Sequence, residues 1–139
     1  MAQIYGPPNV VAGLVAFYRS HGVAAATRVP TKRKPGMVRV SRIGGFPENR
    51  LQDHPRLLVE VWEGDSESAT AQEASFNTAR YLWGLIGAIE DQDALPGIVT
   101  HHIEPATMPS QFQDDDAPEL DRHQFEIDAY VRMEPMEVA

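Results

Sequence analysis

Pro55-Arg-Leu-Leu-Val-Glu-Val-Trp-Glu63 alternates as a half-buried strand does, with Leu57, Val59 and Val61 on one side and Leu58, Glu60 and Trp62 on the other. Gly64-Asp65-Ser66 punctuates it. Upstream, Met37-Val-Arg-Val-Ser-Arg-Ile43 repeats the pattern: Val38 and Val40 oppose Met37, Arg39, Ser41 and Ile43. Gly44-Gly45 reads as the close of that strand, and Phe46–Pro55 as a polar loop. Two strands with one apolar face each require a layer to cover that face.

The cover is supplied by helical periodicity on both sides of the pair. Downstream, Glu67–Ile89 reads as a long helix, with Asp65 or Ser66 as its cap. At about 100° per residue, Ala71, Ala74, Thr78, Tyr81, Leu82, Leu85, Ile86 and Ile89 form its core stripe. Upstream, Asn9–His21 reads as a first helix, led in by Pro7-Pro8 and stopped by Gly22. Its Val10, Val11, Leu14, Val15, Phe17 and Tyr18 cover more than one face. Between this helix and the first strand, Ala24–Val29 is expected to be extended and Thr31–Gly36 to turn.

The C-terminal third returns to strands. Pro96-Gly97 restarts the chain into Ile98–Glu104, and Pro105–Asp121 reads as a loop, mobile and acidic over residues 106–121. In His123–Met133 the residues Phe125, Ile127, Ala129, Val131 and Met133 alternate against Gln124, Glu126, Asp128, Tyr130 and Arg132. Residues 134–139 read as frayed. The expected fold is α+β: a two-layer sandwich with a mostly antiparallel sheet of four to five strands and two helices on one face. Residues 1–139 form a single domain.

Composition narrows the function classes. The chain has 139 residues, a hydrophobic fraction of 42%, no cysteine and a formal charge of −8. It can build a core but cannot form disulfides or thiolate metal sites. The longest apolar run, Val10–Tyr18, is too short for a membrane span, and the start of the chain lacks the basic region of a secretory signal. The negative balance disfavours nucleic-acid binding, which needs clustered cations. The basic stretch is Arg28, Lys32, Arg33, Lys34, Arg39 and Arg42; the acids gather in Glu60–Glu73 and Asp114–Asp128.

No residue pattern assembles a catalytic or metal site. His101 and His102 are adjacent on an expected strand, so they point apart and cannot chelate one ion together, although one could join His123 across the sheet. Asp114-Asp115-Asp116 lacks the alternation and glycine of a calcium loop and reads as a solvated run. Gly44-Gly45 lacks the rest of a phosphate loop, and no serine sits in a nucleophile elbow. Glu60 and Glu126 could face one another on the polar sheet surface as an acid/base pair, the basis of a small-enzyme alternative.

Surplus apolar surface points instead to assembly. Phe76 and Trp83 lie seven apart on the long helix and nearly opposite its core stripe, flanked by Glu73 and Arg80. Such a patch needs a second cover, either the first helix or a neighbouring subunit. Arg39, Glu60, Trp62 and Tyr130 place aromatics among charges on the polar sheet face, as interfaces do. The candidate interface set is Arg33, Arg39, Arg42, Phe46, Arg50, Glu60, Trp62, Phe76, Arg80 and Trp83.

Four segments in order carry a family resemblance. They are Met37-Val-Arg-Val-Ser-Arg-Ile-Gly-Gly45, Pro55-Arg-Leu-Leu-Val-Glu-Val-Trp-Glu63, the helix segment Ala74–Leu82, and Gln124-Phe-Glu-Ile-Asp-Ala-Tyr-Val-Arg132. In this order and spacing the chain, over Val10–Met133, resembles the tail terminator (tail-completion, minor tail) proteins of long-tailed actinobacterial phages. The acidic Gln113–Glu119 segment departs from that pattern. The resemblance implies a homo-oligomeric ring, commonly a hexamer, at the head-proximal end of the virion tail. That ring caps the tail tube, stops its polymerisation and receives the head through its connector proteins. It implies no cofactor, no catalytic residue, no small-molecule substrate and no membrane, with DNA only as cargo passing the channel. Another head–tail neck connector, such as a head-completion adaptor, is the nearest alternative.

Overall fold

The computed structural model of the chain describes residues 3–64 and 69–136. In chain order the elements are β1 (Ile4–Gly6), α1 (Val10–Ser20), β2 (Ala25–Ala26), β3 (Val38–Asn49), β4 (Gln52–Glu63), α2 (Ala69–Gly87), β5 (Thr100–Pro105), β6 (Ser110–Gln111), β7 (Asp121–Arg132) and β8 (Glu134–Met136). The main sheet runs β2-β3-β4-β7-β5, with β6 also pairing β7. Only β2 to β3 is parallel; the other pairings are antiparallel. The α+β sandwich expected from the sequence is the observed fold, with a sheet of six strands.

The period-two pattern translates directly into burial. Val38, Val40, Leu57, Val59, Val61, Phe125, Ile127, Ala129 and Val131 form the sheet's share of one core. The helices contribute Val10, Leu14, Phe17, Tyr18, Leu82 and Ile86 from above the same face. Asn9 caps α1, its side-chain oxygen accepting from the Ala12 N–H at 3.1 Å. Tyr18 is fully buried and donates its hydroxyl to the Leu82 carbonyl at 3.2 Å, joining the two helices. That burial pushes its phenol far above the ordinary range, so it stays a neutral donor.

Several expectations need correction. Phe46–Pro55 is not a loop: β3 continues to Asn49 and β4 begins at Gln52, forming a hairpin of two 12-residue strands. Register shifts between Arg42 and Gly44 and between Pro47 and Asn49 absorb the apparent strand breakers. Gly45 takes φ +98°, and a Cβ there would collide with the His54 carbonyl and the Pro55 Cα, so the close crossing of the two strands requires glycine.

Residues 134–136 are not frayed, because β8 pairs antiparallel with β1, Ile4 facing Met136; residues 137–139 lie outside the described residues. Of Ala24–Val29 only Ala25–Ala26 is strand. The proposed cap at Asp65 or Ser66 also lies outside the described residues.

The core row of α2 is rotated from the expected stripe. Ala71, Ser75, Ala79, Leu82 and Ile86 are buried, Leu85 and Ile89 pack at the core margin, and Tyr81 is 51% exposed. The run of alanine and serine lets the helix sit close to the sheet.

Candidate functional site

On the sheet face away from the helices, the residues expected to be solvated are largely paired among themselves. Glu60 is 2% exposed. It accepts from Arg39 Nε at 2.7 Å and Arg39 Nη2 at 3.0 Å, and from Arg122 Nη1 at 3.0 Å. The hydrogen bond to Glu60 raises the Arg39 pKa above its ordinary value. Arg56 grips Asp128 through two bonds of 2.8 and 3.0 Å and reaches Glu126 at 3.4 Å. Glu60 and Glu126 are thus each committed to arginine, and Glu60 sits opposite Gln124 in the sheet, not Glu126. The expected carboxylate pair is not formed.

Trp62 was expected on an open face, yet it is fully buried. It forms a second, small core with Ala117 and Leu120, against which Val29 and Met37 pack. Its indole N–H donates to Asp114 Oδ2 at 2.8 Å. Arg33, Arg39 and Arg122 stack around the ring at 5.7, 5.4 and 5.9 Å, and Arg33 Nε lies 3.4 Å from Asp114.

Burial pushes the Asp114 carboxyl up. The bonds from Trp62 and the Asp116 N–H, with Arg122 and Arg33 nearby, outweigh that and leave it below the usual carboxylate range. The acidic run is therefore solvated only at Asp115 and Asp116. A readable signal was present: Asp114, Ala117 and Leu120 recur every third residue. Successive turns, Ala117 N–H to the Asp114 carbonyl at 3.1 Å and Leu120 N–H to the Ala117 carbonyl at 3.1 Å, aim all three inward. Glu60, Trp62 and Arg33 are consequently held within the monomer.

The turn end of the hairpin carries the longest run of exposed residues among those described. Every residue from Arg42 to Leu51 is exposed, including Ile43 at 48%, Phe46 at 59% and Leu51 at 50%. From Val40 onward no other strand pairs with the outer edge of β3 among the described residues. Arg42 is tied to Asp53, 1% exposed, by bonds of 2.6 and 3.1 Å. His54 stacks on Tyr130 at 4.0 Å, meets the Phe46 ring edge-on at 5.4 Å and lies 3.2 Å from Glu48. Arg50 rests over Tyr5 at 5.4 Å. These contacts, with the Met133 N–H donated to the Leu51 carbonyl at 2.9 Å, hold the turn end of the hairpin against β7, while Ile43, Phe46 and Leu51 keep about half of their surface exposed or more.

Phe76 and Trp83 each follow a buried residue, Ser75 and Leu82, so they sit about 100° round the helix, on its flank and not opposite the core. Trp83 is half-buried against the main core, and its N–H donates to the Thr107 carbonyl at 3.1 Å. Phe76 remains 38% exposed, with Arg80 over its ring at 5.8 Å. Its edge meets His123 at 5.8 Å. The monomer's own segment after β5 thus covers part of Trp83 but leaves Phe76 at the surface.

Ser75, His123 and Asp121 meet below Phe76, a grouping that sequence spacing did not suggest. Ser75 Oγ lies 2.8 Å, and Asp121 Oδ2 3.2 Å, from the same ring atom, His123 Nδ1. A nucleophile relay needs its serine and acid on opposite ring nitrogens, and Ser75 is fully buried. The three tie α2 to β7. His101 and His102 are both exposed, because a bulge between Thr100 and His102 breaks the alternation expected of them. His102 lies beside Tyr130 on the face away from the helices, whereas His123 lies beneath α2, so they do not share a site. Among the described residues no three His, Asp or Glu side chains are grouped to hold a metal ion, and no helix is long and apolar enough to cross a membrane.

Two clefts border α1. One, of about 770 Å3, lies against β2 between Ala12, Val15, Ala16 and Ala26, with Arg19 and Arg28 at its rim. The other, of about 350 Å3, lies between the C-terminal ends of the two helices, floored by Phe17, Leu85, Ala88 and Ile89 and rimmed by Glu90 and Asp91. No protein-family model matches the chain, and no curated protein matches it either.

Proposed function

We propose that the chain is a ring-forming structural subunit of a phage tail, a tail terminator that closes the tail tube and presents the docking surface for the head. The observation that carries this reading is the hairpin, whose Ile43, Phe46 and Leu51 are about half exposed or more. A lone copy gains nothing from three large apolar side chains exposed along the outer half of one hairpin; a neighbour that covers them does. Phe76 at the flank of α2 adds a second uncovered aromatic on a different element. Two distinct patches on one chain suit a head-to-tail contact, which generates a ring when the rotation closes. The formal charge of −8 suits a channel through which DNA passes without adhering.

The purified protein, sedimented across a concentration series and viewed by electron microscopy, should form closed rings. In particles, labelled copies should mark the junction of tail and head. Monomers at every concentration, together with particles in which the label is absent from that junction, would remove the reading. Label on the head side of the junction would move the chain to the neck-connector class.

A further inference from the structure

We infer that the hairpin tip of one copy seats in the cleft between the helix ends of the next, with Phe46 as the knob and Arg50 as the charge that selects the site. The inference rests on the ring reading and adds to it a specific pair of surfaces.

The tip exposes Phe46 and Leu51, and Ile43 further back along β3 extends the apolar surface. Its charges are mostly spent internally: Arg42 is bound to Asp53 and Glu48 lies against His54. Arg50 has no ion-pair partner among the described residues and only covers Tyr5. A receptor for this tip must offer an apolar floor and negative potential.

The cleft between the helix ends offers both. Phe17, Leu85, Ala88 and Ile89 form its floor, and its volume of about 350 Å3 falls in the range of pockets that enclose small apolar groups. Glu90 and Asp91 at the rim are exposed and form no ion pair among the described residues. Both helices end there, α1 at Ser20 and α2 at Gly87, so their C-terminal carbonyls add partial negative charge on the same side. The larger cleft beside β2 is rimmed by Arg19 and Arg28 and would set like charge against Arg50. Charge therefore excludes the larger cleft, and the apolar floor of Phe17, Leu85, Ala88 and Ile89 favours this one over the opening of about 290 Å3 beside β5, which shares Glu90 and Asp91 but is otherwise lined by Ile89, Thr100, His101, His102 and Ile103. The hairpin and the cleft share no residue, so each copy can give one and receive one, and the contact is head-to-tail.

The chain has no cysteine, which permits a direct test by cross-linking. Phe46→Cys and Ala88→Cys both lie at exposed positions, so the fold tolerates them. Mixed under mild oxidation, the two variants should form covalent pairs, while Phe46→Cys alone forms few. A chain carrying both substitutions should give a ladder ending at the ring size. In parallel, Arg50→Glu should weaken assembly by about tenfold or more, as should Glu90→Arg with Asp91→Arg. Joining all three changes in one chain should restore assembly most of the way. If the unaltered protein assembles but the mixture stays uncoupled, or the combined charge variant is weaker than either parent, the paired surfaces are wrong and the ring reading stands. If the unaltered protein never assembles, the ring reading fails with it.

Discussion

The indole N–H of Trp62 donates to the carboxylate of Asp114 at 2.8 Å, although 52 positions separate them in sequence. This bond fastens the segment before β7 over the sheet face away from the helices, and beneath it Trp62, Ala117 and Leu120 form a core of their own. The face opposite the helices is therefore not open at that end; the chain's own acidic segment closes it. Replacing Asp114 with alanine leaves a fully buried indole N–H without an acceptor and removes the nearest carboxylate from Arg33. Stability should fall by about 1–3 kcal/mol, read by denaturant unfolding. The altered Trp62 environment should shift the fluorescence in the folded baseline.

Acid should act through the same bond. Asp114 is held below the usual carboxylate range in the folded chain, so it contributes stability above its unfolded pKa of about 3.9. That contribution is lost as pH falls through the lower, folded value. Glu63 works the other way: burial raises it, against the Gly36 N–H, so its ionisation opposes folding as pH rises through the weakly acidic range. The difference in stability between the unaltered protein and Asp114→Asn, followed against pH, should shrink below about pH 4 and stay constant above pH 6.

Gly45 tests whether the hairpin geometry matters to assembly. Its φ of +98° and its approach to the His54 carbonyl leave no room for a Cβ. Gly45→Ala should displace the two strands where they cross, loosening the tip while β4 and β7 keep the main sheet. Limited proteolysis should then cut near Phe46–Leu51 faster than in the unaltered chain. Thermal unfolding should drop by the equivalent of about 1–3 kcal/mol, and assembly should weaken more than stability does.

Leu82 and Leu85 share the stripe that periodicity suggests, but the observed helix face separates them. Leu82 is fully buried and Leu85 lies at the margin. Leu82→Ala should cost about 2–5 kcal/mol. Leu85→Ala should cost about half of that or less and should act on assembly as well, because Leu85 lines the cleft between the helix ends. On the same helix Phe76→Ala should leave monomer stability within about 1 kcal/mol. Trp83→Ala should destabilise the monomer itself, since its ring packs on the core and its N–H is bonded to Thr107.

Much of the sandwich was legible because it is encoded in local period. Phe125, Ile127, Ala129 and Val131 must share a face in any strand, as must Leu57, Val59 and Val61. Asn9 and Gly22 bracket α1 by their own backbone chemistry. The hairpin was not legible, because Gly44-Gly45, Pro47 and Pro55 read locally as breaks. Only the partner strand shows that two register shifts carry the ladder past them. The β1–β8 ribbon was hidden for a related reason: Ile4–Gly6 and Glu134–Met136 are too short to signal a strand until each meets the other.

The candidate surfaces divide along the same line. Phe46 and Arg50 could be singled out from residue type alone, and both are exposed. Glu60 and Trp62 carried the same signal of an aromatic among charges, yet the fold buries them under Arg122, Asp114 and Leu120, which arrive from the far end of the chain.

Residue order alone thus determined which side chains share a strand face and which segments form the two helices, and with them the layered α+β fold, because those periods follow from backbone geometry within a few residues. Which apolar and charged side chains remain at the surface was decided by the tertiary structure. Burial is a relation between distant segments, and the folded chain, not the local pattern, settles which segment lies over which.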